Sequence, residues 1–181
     1  MKIIIASDIH GSAHWCKKLL AAALYQNADQ IVLLGDLLYH GPRNPLPDGY
    51  NPMQVAQMLT DVQDKLICVR GNCDSEVDQM VLPFPMMADY ALLHIDGQNF
   101  YLTHGHLHGE HNPPPLQKGA YFFNGHTHTP RKVELANGAT YCNCGSVSLP
   151  KDGTPHSYVV YEKGVLTWYD LETGNAFTPA F

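Results

Sequence analysis

"KIIIASDIHG", residues 2–11, decides the fold. The apolar run Ile3-Ile4-Ile5-Ala6 shows no polar alternation, as expected of a strand buried on both faces of a sheet. An amphipathic stretch, "AHWCKKLLAAALYQ" (13–26), follows and predicts a helix. "QIVLL" (30–34) reads as a second strand. Beyond the Pro/Gly-rich loop "HGPRNPLPDGYNP" (40–52), "PMQVAQMLTDVQD" (52–64) predicts a helix with Asn51 as N-cap and Pro52 at its first position. "KLICV" (65–69) is the third strand. Short apolar runs alternating with helices indicate an α/β fold with a parallel sheet.

The second half changes character. "YALLHI" (90–95), "QNFYLT" (98–103), "GAYFFN" (119–124), "RKVELA" (131–136), "ATYCN" (139–143), "SYVVYE" (157–162) and "VLTWYD" (165–170) are short strand-like runs. Asp96-Gly97, Asn137-Gly138 and Lys163-Gly164 punctuate them as hairpin turns. Without a linker, repeat or low-complexity block, residues 1–181 read as one domain of two packed sheets with flanking helices. The proline-stiffened segment 104–118, "HGHLHGEHNPPPLQK", is expected to wall a site.

A formal charge of −6 and the lack of a basic stripe argue against a polynucleotide or anionic-membrane partner. "MKIIIASD" is too short an apolar run for a leader, and no stretch is long enough to span a bilayer, so a soluble protein is expected. Five cysteines cannot all pair within one chain, and Cys142 and Cys144 lack zinc-ribbon spacing. Free thiols in the cytoplasm are the expectation. Eleven histidines equal lysine and arginine combined and are dispersed rather than clustered as in a tag, which directs attention to metal binding.

Their placement sharpens the point. The first strand leads to Asp8 and His10, the second to Asp36, the third to Asn72, "NFYLT" to His104, and "YFFN" to His126 and His128. The carboxyl ends of strands are where α/β sheets bind ligands. Taken singly, these residues read as caps, turn residues or packed histidines. Seven metal-competent groups at five strand ends form a pattern that caps and turns do not produce. Two Asp, one Asn and four His suit two ions with a shared carboxylate better than one tetrahedral zinc. An oxygen and nitrogen set without thiolate suits Mn, Fe, Co, Ni or Zn.

In order, "SDIHG" (7–11), "LGDLL" (34–38), "RGNCD" (70–74), "THGH" (103–106) and "NGHTH" (124–128) match the D-x-H, G-D, G-N-H-[D/E], H and G-H-x-H motifs of the calcineurin-like metallophosphoesterases. The chain resembles that family from Asp8 to His128, and "DLLYHGPRNPLPDGY", "VRGNCDSEVDQM" and "GSVSLPK" resemble its small YfcE-like bacterial phosphodiesterase branch. The resemblance implies a four-layer sandwich of two mixed β-sheets flanked by helices. It implies that Asp8, His10 and His128 hold one divalent ion, that Asn72, His104 and His126 hold a second, and that Asp36 bridges them. Mn is the first expectation for both ions. The implied activity is hydrolysis of a small phosphodiester by a hydroxide shared between the ions. A phosphomonoesterase with the same centre is the alternative enzyme, and a non-catalytic protein-binding scaffold of the Vps29 kind is the alternative of another class. Self-association stays open.

One position departs from the family pattern. Histidine is usual after the motif asparagine, where it meets the transferred phosphoryl group or protonates the leaving oxygen; here it is Cys73, between Asn72 and Asp74. A thiol is neutral near pH 7 and cannot act as an imidazolium. These three residues are the expected catalytic segment, with Asp74 the neighbouring acid. Cys73 reads as a small packing residue in preference to a nucleophile, and the enzyme is expected to favour good leaving groups such as aryl oxides. His40 and His106 are the sequence's other candidates for proton transfer, and Arg43 for a phosphate clamp.

Overall fold

In a computed structural model describing residues 1–180, every expected strand is present. In chain order they are β1 (Lys2–Ala6), β2 (Gln30–Leu33), β3 (Leu66–Cys68), β4 (Tyr90–Ile95), β5 (Gln98–Thr103) and β6 (Tyr121–Asn124). β7 (Arg131–Glu134), β8 (Thr140–Asn143), β9 (Ser157–Glu162), β10 (Val165–Asp170) and a short β11 (Ala176–Phe177) follow. Two mixed sheets result, ordered β11-β10-β9-β1-β2-β3 and β4-β5-β6-β8-β7. Within the first, β1, β2 and β3 run parallel; within the second, β5, β6 and β8 do.

β1 shows why its run is continuous. Ile4 and Ala6 join a core formed with Leu19, Val55 and Leu59 of the helices α1 (Ala13–Tyr25) and α2 (Pro52–Thr60). Ile3 and Ile5 face the other way, into a second core with Phe100, Leu102 and Phe123 of the five-stranded sheet. β9 splits in the same manner, Tyr158 and Val160 to the helices and Val159 and Tyr161 to the sheet. Each fully buried isoleucine contributes about 1.5–3 kcal/mol relative to exposure, so β1 alone anchors both layers.

The caps are as the sequence suggests. The Ser12 side chain accepts from Trp15 N, and Asn51 Oδ1 accepts from Gln54 N with Pro52 just inside α2. α2 ends at Thr60 rather than at residue 64, because Val62 N donates to Leu59 O and tightens the last turn toward a 3₁₀ segment (Gln63–Lys65) leading into β3. A third helix, α3 (Glu76–Val81), has no apolar periodicity to reveal it, since Val77 and Met80 are exposed; Ser75 N donating to Asp78 Oδ2 starts it. Asp96-Gly97 and Lys163-Gly164 both take positive φ at the two turn positions, as a two-residue hairpin requires.

The helical layer lies over the six-stranded sheet. Over the five-stranded sheet the outer cover is the segment 104–119 rather than a helix. Phe122 and Tyr141 point outward from β6 and β8 yet are buried at 0% and 3% exposure. Their rings meet edge to face, Tyr101 joins them, and Pro115 and Leu116 of the segment line the same face. Its far end is tied down where Arg131 of β7 donates to both carboxylate oxygens of Glu110. The proline-rich segment is therefore a structural layer more than the site wall its composition suggested.

Phe122→Ala should cost about 3–5 kcal/mol in urea-induced unfolding, whereas Leu92→Ala, on the same sheet but 66% exposed, should cost below ~1 kcal/mol.

Candidate metal centre

The carboxyl ends of β1, β2 and β3 meet those of β5 and β6 along one edge of the two sheets. There the backbone is forced into conformations that side chains avoid. Asp8 (φ 61°), His10 (49°), Asp36 (54°), His126 (63°) and His128 (65°) all lie in the left-handed region. Such conformations outside glycine cluster at functional sites. Glycines allow the turns to nest: a Cβ on Gly71 would collide with the Asp36 carboxylate and backbone, and one on Gly125 with Ser7 and Asp8.

Hydrogen bonds over-determine this backbone. Asp74 Oδ2 accepts from Asp36 N and Gly71 N, both at 2.7 Å, and Oδ1 accepts from Leu37 N at 2.8 Å. Ser146 and Ser148 both donate their hydroxyls to Asp8 O. These serines lie in the "GSVSLPK" segment, whose positioning of the first strand's exit no sequence pattern disclosed.

The side chains that converge are the expected ones. Asp8, His10, Asp36, His104 and His128 are all buried, and Asn72 and His126 complete the rim. His10, His104 and His128 each use Nδ1 on a backbone carbonyl, of Tyr39 (2.9 Å), Leu34 (2.8 Å) and Leu149 (2.6 Å). With Nδ1 donating, each neutral ring aims an Nε2 lone pair inward. His128 Nε2 is 3.1 Å from Asp8 Oδ1 and 3.3 Å from His10 Nε2. Asp36 Oδ2 lies 3.7 Å from His10 Nε2 and 3.5 Å from His104 Nε2, between the two histidines. His104 Nε2 is also 3.0 Å from Asn72 Oδ1. The other carboxylate oxygens hold backbone: Asp36 Oδ1 accepts from Cys73 N, and Asp8 Oδ2 from His126 N.

Facing lone pairs and buried carboxylates call for cations. Asp8 Oδ1 is buried with no hydrogen-bond partner. Burial would raise the Asp8 pKa, but His104 and the close-lying His10 and His128 rings hold it well below the usual range. Burial disfavours a charged His10, yet Asp8 and Asp36 outweigh that and raise its pKa. His126 is pushed down to about 4 by burial and by His104, which leaves its ring neutral. Three overlapping groups, Asp8-His10-His128, Asp8-Asp36-His104 and His10-Asp36-Cys73, have ligand atoms close enough to share an ion. These buried His/Asp clusters are consistent with a binuclear metal site.

Cys73 stands at the mouth. Its thiol is half-buried, receives Asn72 Nδ2 at 3.2 Å, and is kept protonated by burial and by Asp36. Asp74 does not face Cys73 as an orienting acid. It lies beneath the site with its carboxylate given to backbone, raised to about 6 by burial and Asp36 against the pull of its three N–H donors. Arg70 pairs with Asp89 at 2.7 Å. His106 sits 5.4 Å from the His104 ring, and His40 packs edge-on against Tyr39 and Tyr50. A cleft of about 390 Å³ opens above Asp36, Asn72, Cys73, His126 and His128, and both Arg43 and Lys151 line it. Lys151 escaped the sequence reading because nothing marks a lone loop lysine.

Residues 1–163 match the calcineurin-like phosphoesterase superfamily domain. The chain belongs to that superfamily. Among its members it is 47% identical over 167 residues to phosphodiesterase YfcE of Escherichia coli K12, covering 92% of this chain and 90% of the relative. The solved structure of the E. coli phosphoesterase Yfce superposes with a TM-score of 0.95 at 43% identity, covering 98% of this chain and 97% of that one. Zinc-bound Vps29 from Entamoeba histolytica shares the fold at a TM-score of 0.61 and 15% identity, covering 98% and 96% of the two chains.

Replacing Asp74 by alanine leaves three buried N–H donors without their acceptor. Its unfolding free energy should fall by about 3 kcal/mol or more in urea titration, against below ~1 kcal/mol for Asp29→Ala at the exposed start of β2.

Proposed function

We propose that the chain is a divalent-metal-dependent phosphodiesterase acting on small diesters. The observation that carries this reading is the set of three imidazoles whose Nδ1 atoms are tied to carbonyls while their Nε2 atoms converge on Asp8 and Asp36. Asp8, His10 and His128 would hold one ion, and Asn72, His104 and His126 the other. Asp36 would serve both, since its Oδ2 is the atom that stands between His10 and His104. Two bound ions supply Lewis acidity that lowers the pKa of an attacking water and offsets charge building on the phosphate oxygens. Manganese is the first choice for hard oxygen and imidazole donors, with Fe, Co, Ni and Zn compatible.

The remaining roles belong to the protein. The Asp8 and Asp36 backbones are locked, so the donor atoms need little rearrangement when the site closes on its ions. Asn72 and Cys73 line the cleft where the ester sits, and Arg43 and Lys151 offer cations to the non-bridging phosphate oxygens. Asp74 is a positioning residue that acts through the backbone of Asp36 and Gly71. Residues 1–181 are read as one domain carrying the whole function. Among the described residues no helix is long and apolar enough to cross a membrane, and the five free cysteines suit a reducing, cytoplasmic setting.

Metal-stripped protein should melt lower than the Mn-loaded form and regain its stability on adding Mn. Bis-p-nitrophenyl phosphate should then be cleaved in preference to p-nitrophenyl phosphate. Asp36→Asn should lose at least about 100-fold in kcat/KM and one of the two ions by metal analysis. Failure of every divalent ion to elicit diester cleavage would overturn the reading.

Cys73 decides leaving-group range. Cys73→His should raise kcat/KM on diesters with alkyl leaving groups by about 10-fold or more, with a smaller change on aryl diesters. Equal changes on both would mean that residue 73 takes no part in leaving-group departure.

A further inference from the structure

Beside the metal-site cleft lies a second, larger groove of about 770 Å³ that the proposed chemistry does not use. The two are continuous: Pro42, Arg43, Asn72 and Cys73 line both. Beyond that shared rim the groove is walled by Tyr39, Tyr50, Pro52, Met53, Val77 and Val81. These come from the Pro/Gly-rich loop, the start of α2 and α3, so three separate chain segments converge to build it. Met53 is 65% exposed, Val77 68%, Val81 43% and Tyr39 42%, and together they make an apolar surface beside a charged site. Scattered exposed apolar residues need no explanation, but a rimmed cluster opening onto a reaction centre does.

The groove's electrostatics narrow its occupant. Arg43, at the rim, is the one cation among its lining residues. Its two acids are already engaged: Asp74 is bonded to backbone N–H groups, and Asp78 Oδ2 accepts from Ser75 N and Oγ. With Arg43 on the reacting phosphate, a further phosphate of a nucleic acid would find no second cation there.

We infer that this groove binds an apolar arm of the ester, so that the enzyme's substrates are phosphodiesters in which one ester group is an unsubstituted hydrocarbon chain several carbons long. The inference rests on the phosphodiesterase reading and names the substrate class for it. With the phosphate between Arg43 and Lys151 in the cleft, one ester oxygen at Cys73 sends its carbon substituent along Tyr39 and Tyr50 toward Met53 and Val77.

Product-like monoesters test this without turnover of the arm itself. Methyl, butyl and hexyl phosphate, with inorganic phosphate as reference, are measured as competitive inhibitors of the Mn-loaded enzyme cleaving bis-p-nitrophenyl phosphate. Relative to inorganic phosphate, inhibition should tighten by roughly threefold per added methylene, about 200-fold over the chain-length series from methyl to hexyl. Met53→Asp and Val77→Asp, both at exposed positions, should each flatten that gradient to below about fivefold. Leu92→Asp on the remote sheet should keep it. A chain-length series flat in the wild type, with inorganic phosphate still inhibiting, would overturn the groove assignment and leave the phosphodiesterase reading intact. Absence of any Mn-dependent cleavage would instead overturn both.

Discussion

Three backbone N–H groups converge on the Asp74 carboxylate, and through them the exits of β2 and β3 behave as one piece. Asp36 can point its Oδ2 between His10 and His104 because its own backbone is held in a left-handed turn that it would otherwise leave. Gly71 must pass close beneath it for the bond to form, which excludes any side chain there. A carboxylate accepting several N–H bonds is normally strongly acidic, yet this one is raised to about 6, because burial and the neighbouring Asp36 charge work against it. A cation placed at Asp36 would offset the share of that opposition that comes from the Asp36 charge. The scaffold and the ions therefore support each other, each making the other's charge easier to bury.

Charge at the site also reconciles the protein with its substrate. The chain as a whole is acidic, with a formal charge of −6, and an anionic ester should be repelled from its surface. The acids that matter, Asp8 and Asp36, are inside and answer to the ions, while Arg43 and Lys151 frame the entrance. A local field of opposite sign to the global one is a property that composition cannot reveal.

Much of the arrangement was nonetheless legible in the sequence. An uninterrupted Ile-Ile-Ile run announced a strand covered on both faces, and the regular return of Asp, Asn or His just past apolar runs announced the shared edge. What the sequence hid were elements without periodicity. α3 shows its apolar residues to the groove rather than to the core, so no buried stripe marks it. The segment 104–118 looked like a site wall because prolines and histidines suggest stiffness and chemistry. Its actual task is to keep Phe122 and Tyr141 dry, and only the outward register of β6 and β8 reveals it. Asp74 was read as a partner for residue 73 from adjacency, whereas a strand-end turn sends neighbouring side chains in different directions. Lys151 and the two serines before it reach the centre from the far end of the chain, a closure that only the tertiary fold specifies.

The left-handed backbone at Asp8, His10, Asp36, His126 and His128 has a consequence for how such a chain ages under mutation. A residue with a Cβ costs on the order of 1 kcal/mol or more in that region, and glycine avoids the cost. Each of these five positions is thus a place where backbone conformation alone favours glycine. Four of the side chains oppose it with bonds of their own: Asp8 Oδ2 and Asp36 Oδ1 accept from His126 N and Cys73 N, and His10 and His128 are tied to the Tyr39 and Leu149 carbonyls. Such a residue both furnishes the centre and braces the turn that carries it, so losing one loosens its neighbours as well.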